Sequence, residues 1–135
     1  MPTTSSNSTM GPVEYFRAKL EHEIDPLGLK TILDRTPHLV CVLDVRERAD
    51  YDDDHIPGAR SVPIDALVSS FASLPKDRIL VTCGADLACG LSARAALEMA
   101  QKGFRVQSLI GGLGEWRRRS YPTETSPGEA TSQAW

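Results

Sequence analysis

The chain has 135 residues, 41% of them hydrophobic and 24% charged, with a formal net charge of −3, which suits one domain able to bury its own core. Charges of both signs are dispersed and the one basic cluster is Arg117-Arg118-Arg119, read as a solvated helix end, so nothing supports nucleic-acid binding. No apolar run approaches the roughly 18 residues of a membrane span and no secretory leader pattern occurs; three sparse cysteines, Cys41, Cys83 and Cys89, exclude a disulfide scaffold and set the expectation of a reducing, cytoplasmic location.

Residues 1–11 are Ser/Thr-rich and almost uncharged, and are expected to form a flexible tail. Val13, Phe16 and Leu20 then fall at helical spacing and predict a helix to about Glu23. The default reading of that stripe is packing on the domain, with a homodimer contact as the alternative. Asp25-Pro26 reads as the N-cap and first position of a second helix running through Asp34. Val40-Cys41-Val42-Leu43 is short, β-branched and apolar on both faces, as a strand buried in a parallel sheet is. Similar runs occur at Ile79–Thr82 and at about Val106–Ile110, with Ser61-Val62-Pro63 a weaker candidate. Helical patterns separate them at Ile64–Leu74 and Leu91–Gln101, and Gly103 supplies a stop for the latter. The reading is one α/β domain over residues 12–122, with an N-terminal helical extension over 12–24 and a mainly parallel sheet flanked by helices on both faces. Residues 123–135 are expected to form a second flexible tail, and Trp135 within it has no assigned role.

Ligands of such sheets bind beyond the carboxyl ends of the strands, where Asp44 and Cys83 both fall. Cys83 opens a small-residue loop that leads into the helix from Leu91, so backbone N–H groups and a helix N-terminus are expected to favour its thiolate and present it to an anionic reactant. Cys41, between Val40 and Val42, is read instead as a buried packing residue. Two thiols without a neighbouring histidine make a poor zinc site, and no metal is expected.

Several motifs then follow in order: Leu43-Asp44-Val45-Arg46; Tyr51 through His55-Ile56-Pro57-Gly58-Ala59; Thr82-Cys83; Gly103-Phe104; and Leu109-Ile110-Gly111-Gly112 with Trp116. On these the chain resembles single-domain rhodanese-like proteins from about Asp25 to Thr123, with Asp54 standing where that family usually has a small residue. The resemblance implies a sulfurtransferase without cofactor. Cys83 would be the nucleophile, taking a sulfane sulfur from thiosulfate, mercaptopyruvate or a persulfide and passing it to a thiol or cyanide-like acceptor. The N–H groups of Gly84, Ala85, Asp86, Leu87, Ala88, Cys89 and Gly90 would cradle the outer sulfur. Asp44 and Arg46 would fix the loop by hydrogen bonding, and His55–Ala59 would form a structural turn, with His55 as a general base the weaker reading.

The stretch between Cys83 and Ser92 departs from the family's usual form: it is longer, holds no cation, and adds Asp86. Thiosulfate, a dianion, would then depend on Arg46, Arg94 or the Arg117–Arg119 cluster reaching the mouth. Cys89, six positions after Cys83, is read either as a resolving thiol for Cys83 or as a packing residue at the helix entrance; a subset of rhodanese-like proteins similarly places a Cys before such a helix. The main alternative function is a non-catalytic or redox-regulatory rhodanese-like interaction module. A phosphatase or arsenate reductase ranks below it, because the long loop lacks the terminal arginine that clamps a tetrahedral oxyanion.

Overall fold

The computed structural model describes residues 10–126. Its centre is set by the two most apolar runs of the chain: β2 (Val40–Asp44), buried along its whole length, pairs in parallel with β4 (Ile79–Cys83), so that Asp44 lies opposite Cys83. β5 (Val106–Leu109) adds to the other side of β4, and the sheet ends in two very short edges, β1 (Glu23–Ile24) on β5 and β3 (Arg60–Ser61) on β2. All five strands are parallel, in the order β1-β5-β4-β2-β3. Edges of two residues each offer little unpaired backbone to another strand.

Because side chains alternate along a strand, each central strand feeds two cores. Val40, Val42, Val81 and Cys83 pack with Leu29, Leu113 and Trp116; Cys41, Leu43 and Leu80 pack with Leu67, Ala95, Met99 and Phe104 on the opposite face. The first face is covered by α2 (Pro26–Arg35) and α6 (Gly112–Arg118), the second by α4 (Leu67–Ser70) and α5 (Leu91–Gln101). α1 (Pro12–His22) precedes β1, and α3 (Arg48–Asp53) follows β2. Asp25 caps α2 as the sequence indicates, its carboxylate accepting from Gly28 N at 2.8 Å. None of the helices in the described residues is long and apolar enough to cross a membrane.

Four expectations need correction. The segment Ile64–Leu74 is not one helix but a 3-10 turn, the short α4 and a second 3-10 turn; the hydroxyls of Ser69 and Ser70 both bond Ala66 O, and Ser73 bonds Ser70 O, offering the backbone local alternatives to helix propagation. The weak strand at Ser61–Pro63 is Arg60–Ser61, since Pro63 has no N–H to give a ladder. The stripe Val13, Phe16, Leu20 does not pack on the domain, and Leu20 is 82% exposed. Instead α1 turns Tyr15, Ala18 and His22 toward Ala93, Ala96 and Leu97 of α5 across a shallow cavity. Finally, ordered structure continues past Thr123. Glu124 exchanges two 2.9 Å backbone hydrogen bonds with His55, and Ser126 is buried against Asp52. Residues 1–9 and 127–135, with Trp135, lie outside the described residues.

Candidate active site

Cys83 is the last residue of β4, and its side chain is fully buried. Gly84 is buried as well, whereas Ala85, Asp86, Leu87 and Ala88 are exposed, and the loop turns back where Asp86 bonds Ala88 N and Cys89 N. The opening of the loop is fastened to α6: Leu113 N donates to Gly84 O at 2.9 Å and Gly114 N to Ala85 O at 2.8 Å. In a trans peptide the N–H opposes the C=O, so the amides of Ala85 and Asp86 point away from α6, and neither has a hydrogen-bond acceptor among the described residues.

This packing needs glycine at position 112. Gly112 has φ +55°, and a Cβ there would lie 2.4 Å from Gly84 O. Below the loop, Thr82 Oγ1 donates to Ser92 O, and Ser92 Oγ lies 2.7 Å from both Thr82 Oγ1 and Ser108 Oγ. That buried hydroxyl chain ties the start of α5 to β4 and β5 at the site's floor.

The wall beside Cys83 is ionic. Asp44, buried in the sheet, accepts from Arg46 N, Nε and Nη2, the last at 2.8 Å, and Arg46 Nη2 also donates to Asp54 O at 2.7 Å. Asp54 in turn receives Arg117 Nε at 2.8 Å on one carboxylate oxygen and Nη2 on the other. Arg117 holds the Asp54 carboxyl below its ordinary range. The basic cluster is therefore not a free helix end, since Arg118 and Arg119 pair with Glu115. Of the arginines considered from sequence, Arg46 and Arg117 act on the Cys83 thiol, while Arg94 is exposed on α5.

Those two guanidiniums do not decide the thiol's ionisation. Burial pushes the Cys83 thiol far above the usual cysteine range, the Asp44 carboxylate raises it further, and Arg46 and Arg117 offset only part of the rise. The expected thiolate is thus replaced by a thiol, which donates to Gly84 O at 3.6 Å. Two consequences share one sign. Iodoacetamide should alkylate Cys83 about tenfold faster per pH unit from about pH 7 to 10 with no plateau, measured by intact mass; a plateau below about pH 8 would contradict a protonated, buried thiol. Stability from this group is complete below the unfolded cysteine pKa of about 8.5 and declines as pH rises above it, because the folded state then retains the proton that the unfolded state releases.

Cys89 is partly buried and forms no disulfide; its Sγ lies 3.3 Å from where a Cβ on Gly84 would stand. It lines a cavity of about 170 Å³ with Lys19, Ser92 and Ser108, while Cys83 packs with Val81, Leu113 and Trp116. Cys41 lies in the core on the α5 side. His55 is buried away from this chemistry: it stacks on Tyr51 at 3.7 Å, its Nδ1 donates to Tyr51 O, and its Nε2 lies 3.4 Å from Glu124. Sequence reading missed the Asp54–Arg117 bridge, although Asp54 was visible as a departure, and missed α3, the helix that leads into it.

Comparisons with known proteins agree with this architecture. The chain is 33% identical over 85 residues to the HTH-type transcriptional regulator Rv0324 of Mycobacterium tuberculosis, 63% of this chain but only 38% of that protein's length. It is 37% identical over 91 residues to the thiosulfate sulfurtransferase GlpE of Pseudomonas paraeruginosa, covering 66% of this chain and 79% of the relative. Among solved structures, the BH2092 protein of Bacillus halodurans superposes with a TM-score of 0.79 at 32% identity, covering 86% of this chain and 88% of its own. The family model for the rhodanese-like domain matches residues 25–119, from the cap of α2 to the end of α6, and the chain belongs to that family.

Proposed function

We propose that the protein is a sulfurtransferase in which Cys83 carries sulfane sulfur. The observation that carries this reading is the position of Cys83. It ends a central parallel strand, directly before a loop with unpartnered amides, and two guanidiniums act on its sulfur. The names borne by sulfurtransferase relatives support the same class.

The Cys83 thiol first loses its proton to solvent, and the loop parts to admit the donor, since the sulfur is fully buried at rest. The thiolate attacks the outer sulfur of the donor. With thiosulfate a new S–S bond forms at Cys83, the donor's S–S bond breaks, and sulfite departs with the electron pair. The persulfide's outer sulfur is then taken by an acceptor thiolate or cyanide, which restores the Cys83 thiolate. Amides of the loop hold the terminal sulfur's negative charge. Asp44 and Arg46 fix the loop's base.

Intact-protein mass spectrometry tests this after reduction and exposure to thiosulfate, mercaptopyruvate or a low-molecular-weight persulfide. A gain of about 32 Da is expected in the wild type, absent in Cys83→Ser, and retained in Cys89→Ser with an altered lifetime. Equal loss in both variants would overturn the division of roles. No gain with any donor would leave an interaction or redox module, the reading that a regulator among the relatives favours.

A further inference from the structure

The loop over residues 84–90 contains no cation, and Asp86 makes it acidic. Positive charge for an incoming donor must therefore come from elsewhere. Arg46 is not free to supply it: its side chain is 7% exposed, and it is committed to both carboxylate oxygens of Asp44 and to Asp54 O. Arg117 is placed differently. It lies one helical turn past Leu113, whose amide bonds Gly84 O, and its side chain is 50% exposed. Its only hydrogen-bond partner among the described residues is the Asp54 carboxylate, gripped through Nε and Nη2.

Asp54 thus presents two oxygens to a guanidinium fork, the same geometry that a sulfonate or carboxylate would offer. The guanidinium side of this pair is half exposed, so water and salt screen it and a competing oxyanion can reach Arg117 and displace Asp54. Asp54 also connects the two cations of the site, its carbonyl on Arg46 and its carboxylate on Arg117.

We infer that Arg117 is the receptor for the oxyanion end of the sulfur donor, and that Asp54 is an internal ligand which the donor must replace. This deepens the sulfurtransferase reading and rests on it for the identity of the ligand. The Asp54–Arg117 pair sets how strongly the site prefers an anionic donor over a neutral one. Sulfonate and carboxylate donors share the recognition chemistry, and their KM values tell them apart.

The test uses the full chain and two alkylating probes of similar size, anionic iodoacetate and neutral iodoacetamide, with Cys83 modification followed by mass spectrometry at low ionic strength. Each rate ratio is normalised to that of free cysteine. Asp54→Asn should raise the iodoacetate-to-iodoacetamide ratio and Arg117→Gln should lower it, each by about 3–10-fold, with the difference closing in high salt. Arg118→Gln, which removes the same charge from a neighbouring position, should leave the ratio unchanged. Where sulfur loading occurs, Arg117→Gln should raise KM for thiosulfate or mercaptopyruvate by a similar factor with kcat nearly constant. Flat ratios in both variants, a parallel fall for both probes, or an equal shift in Arg118→Gln would overturn the inference. Altered ratios in a protein that accepts sulfur from no donor would sustain the anion receptor and defeat the sulfurtransferase reading; loading with flat ratios would do the reverse.

Discussion

Replacing Asp44 with alanine should destabilise the fold by about 3–5 kcal/mol, read as a fall in the urea midpoint at unchanged slope. The size follows from what the substitution leaves behind. Asp44 is buried, and it accepts the Arg46 backbone N–H and two guanidinium nitrogens. Without it, a buried guanidinium retains one backbone carbonyl, that of Asp54, as its partner. A buried charge without its counter-ion costs far more than the pair contributes, so Asp44→Ala combined with Arg46→Met should recover most of the loss. A loss below about 1 kcal/mol in the single variant would show that water reaches Arg46 and that the pair is not a dry support for the strand end.

Gly112→Ala is the second large effect, and it joins stability to chemistry. The added Cβ would stand 2.4 Å from Gly84 O and 2.8 Å from its carbonyl carbon, both backbone atoms of the loop. An L-residue at φ +55° costs about 1–2 kcal/mol in its own right. Relief of the clash must also lengthen the Leu113 N–Gly84 O or Gly114 N–Ala85 O bond, each contributing about 0.5–1.5 kcal/mol. The sum is roughly 1.5–3.5 kcal/mol, readable by thermal or urea unfolding. Displacement of the loop should also slow sulfur loading on Cys83 by on the order of 10–100-fold in the protein that remains folded. Wild-type loading in a folded Gly112→Ala variant would show that the fastening of the loop to α6 does not govern the site.

The parts of this molecule legible in its sequence are those specified locally. The β2 and β4 runs are apolar on both faces because both faces are covered, and Asp25-Pro26 and Leu91–Gln101 carry their own helix signals, so the strands and helices that place Cys83 could be read directly. β1 could not, and β3 only as the weak candidate at Ser61–Pro63, because two residues carry no periodicity and their pairing is decided by partners 85 and 17 positions away, as at Glu23–Ser108 and Leu43–Arg60. Ile64–Leu74 has helical spacing, but serine hydroxyls divert its backbone. At the site, Cys83, Asp44 and Arg46 were visible as strand-end residues. The ionisation of Cys83 was not, because desolvation depends on how completely Leu113, Trp116 and the loop close over the sulfur. Nor was the Asp54–Arg117 bridge, which joins residues 63 positions apart and has no local pattern.

The exposed stripe of α1 also bears on how the protein comes apart. A helix that buries none of its own side chains adds little to the cooperative core, so its opening free energy lies near the bottom of the local unfolding spectrum, while β4, covered on both faces, lies near the top. The N-terminal helix and the strand that carries Cys83 therefore belong to different cooperative units. Fraying of α1 is uncoupled from the integrity of β4, and the domain holds the strand that carries Cys83 through excursions that already release Pro12–His22.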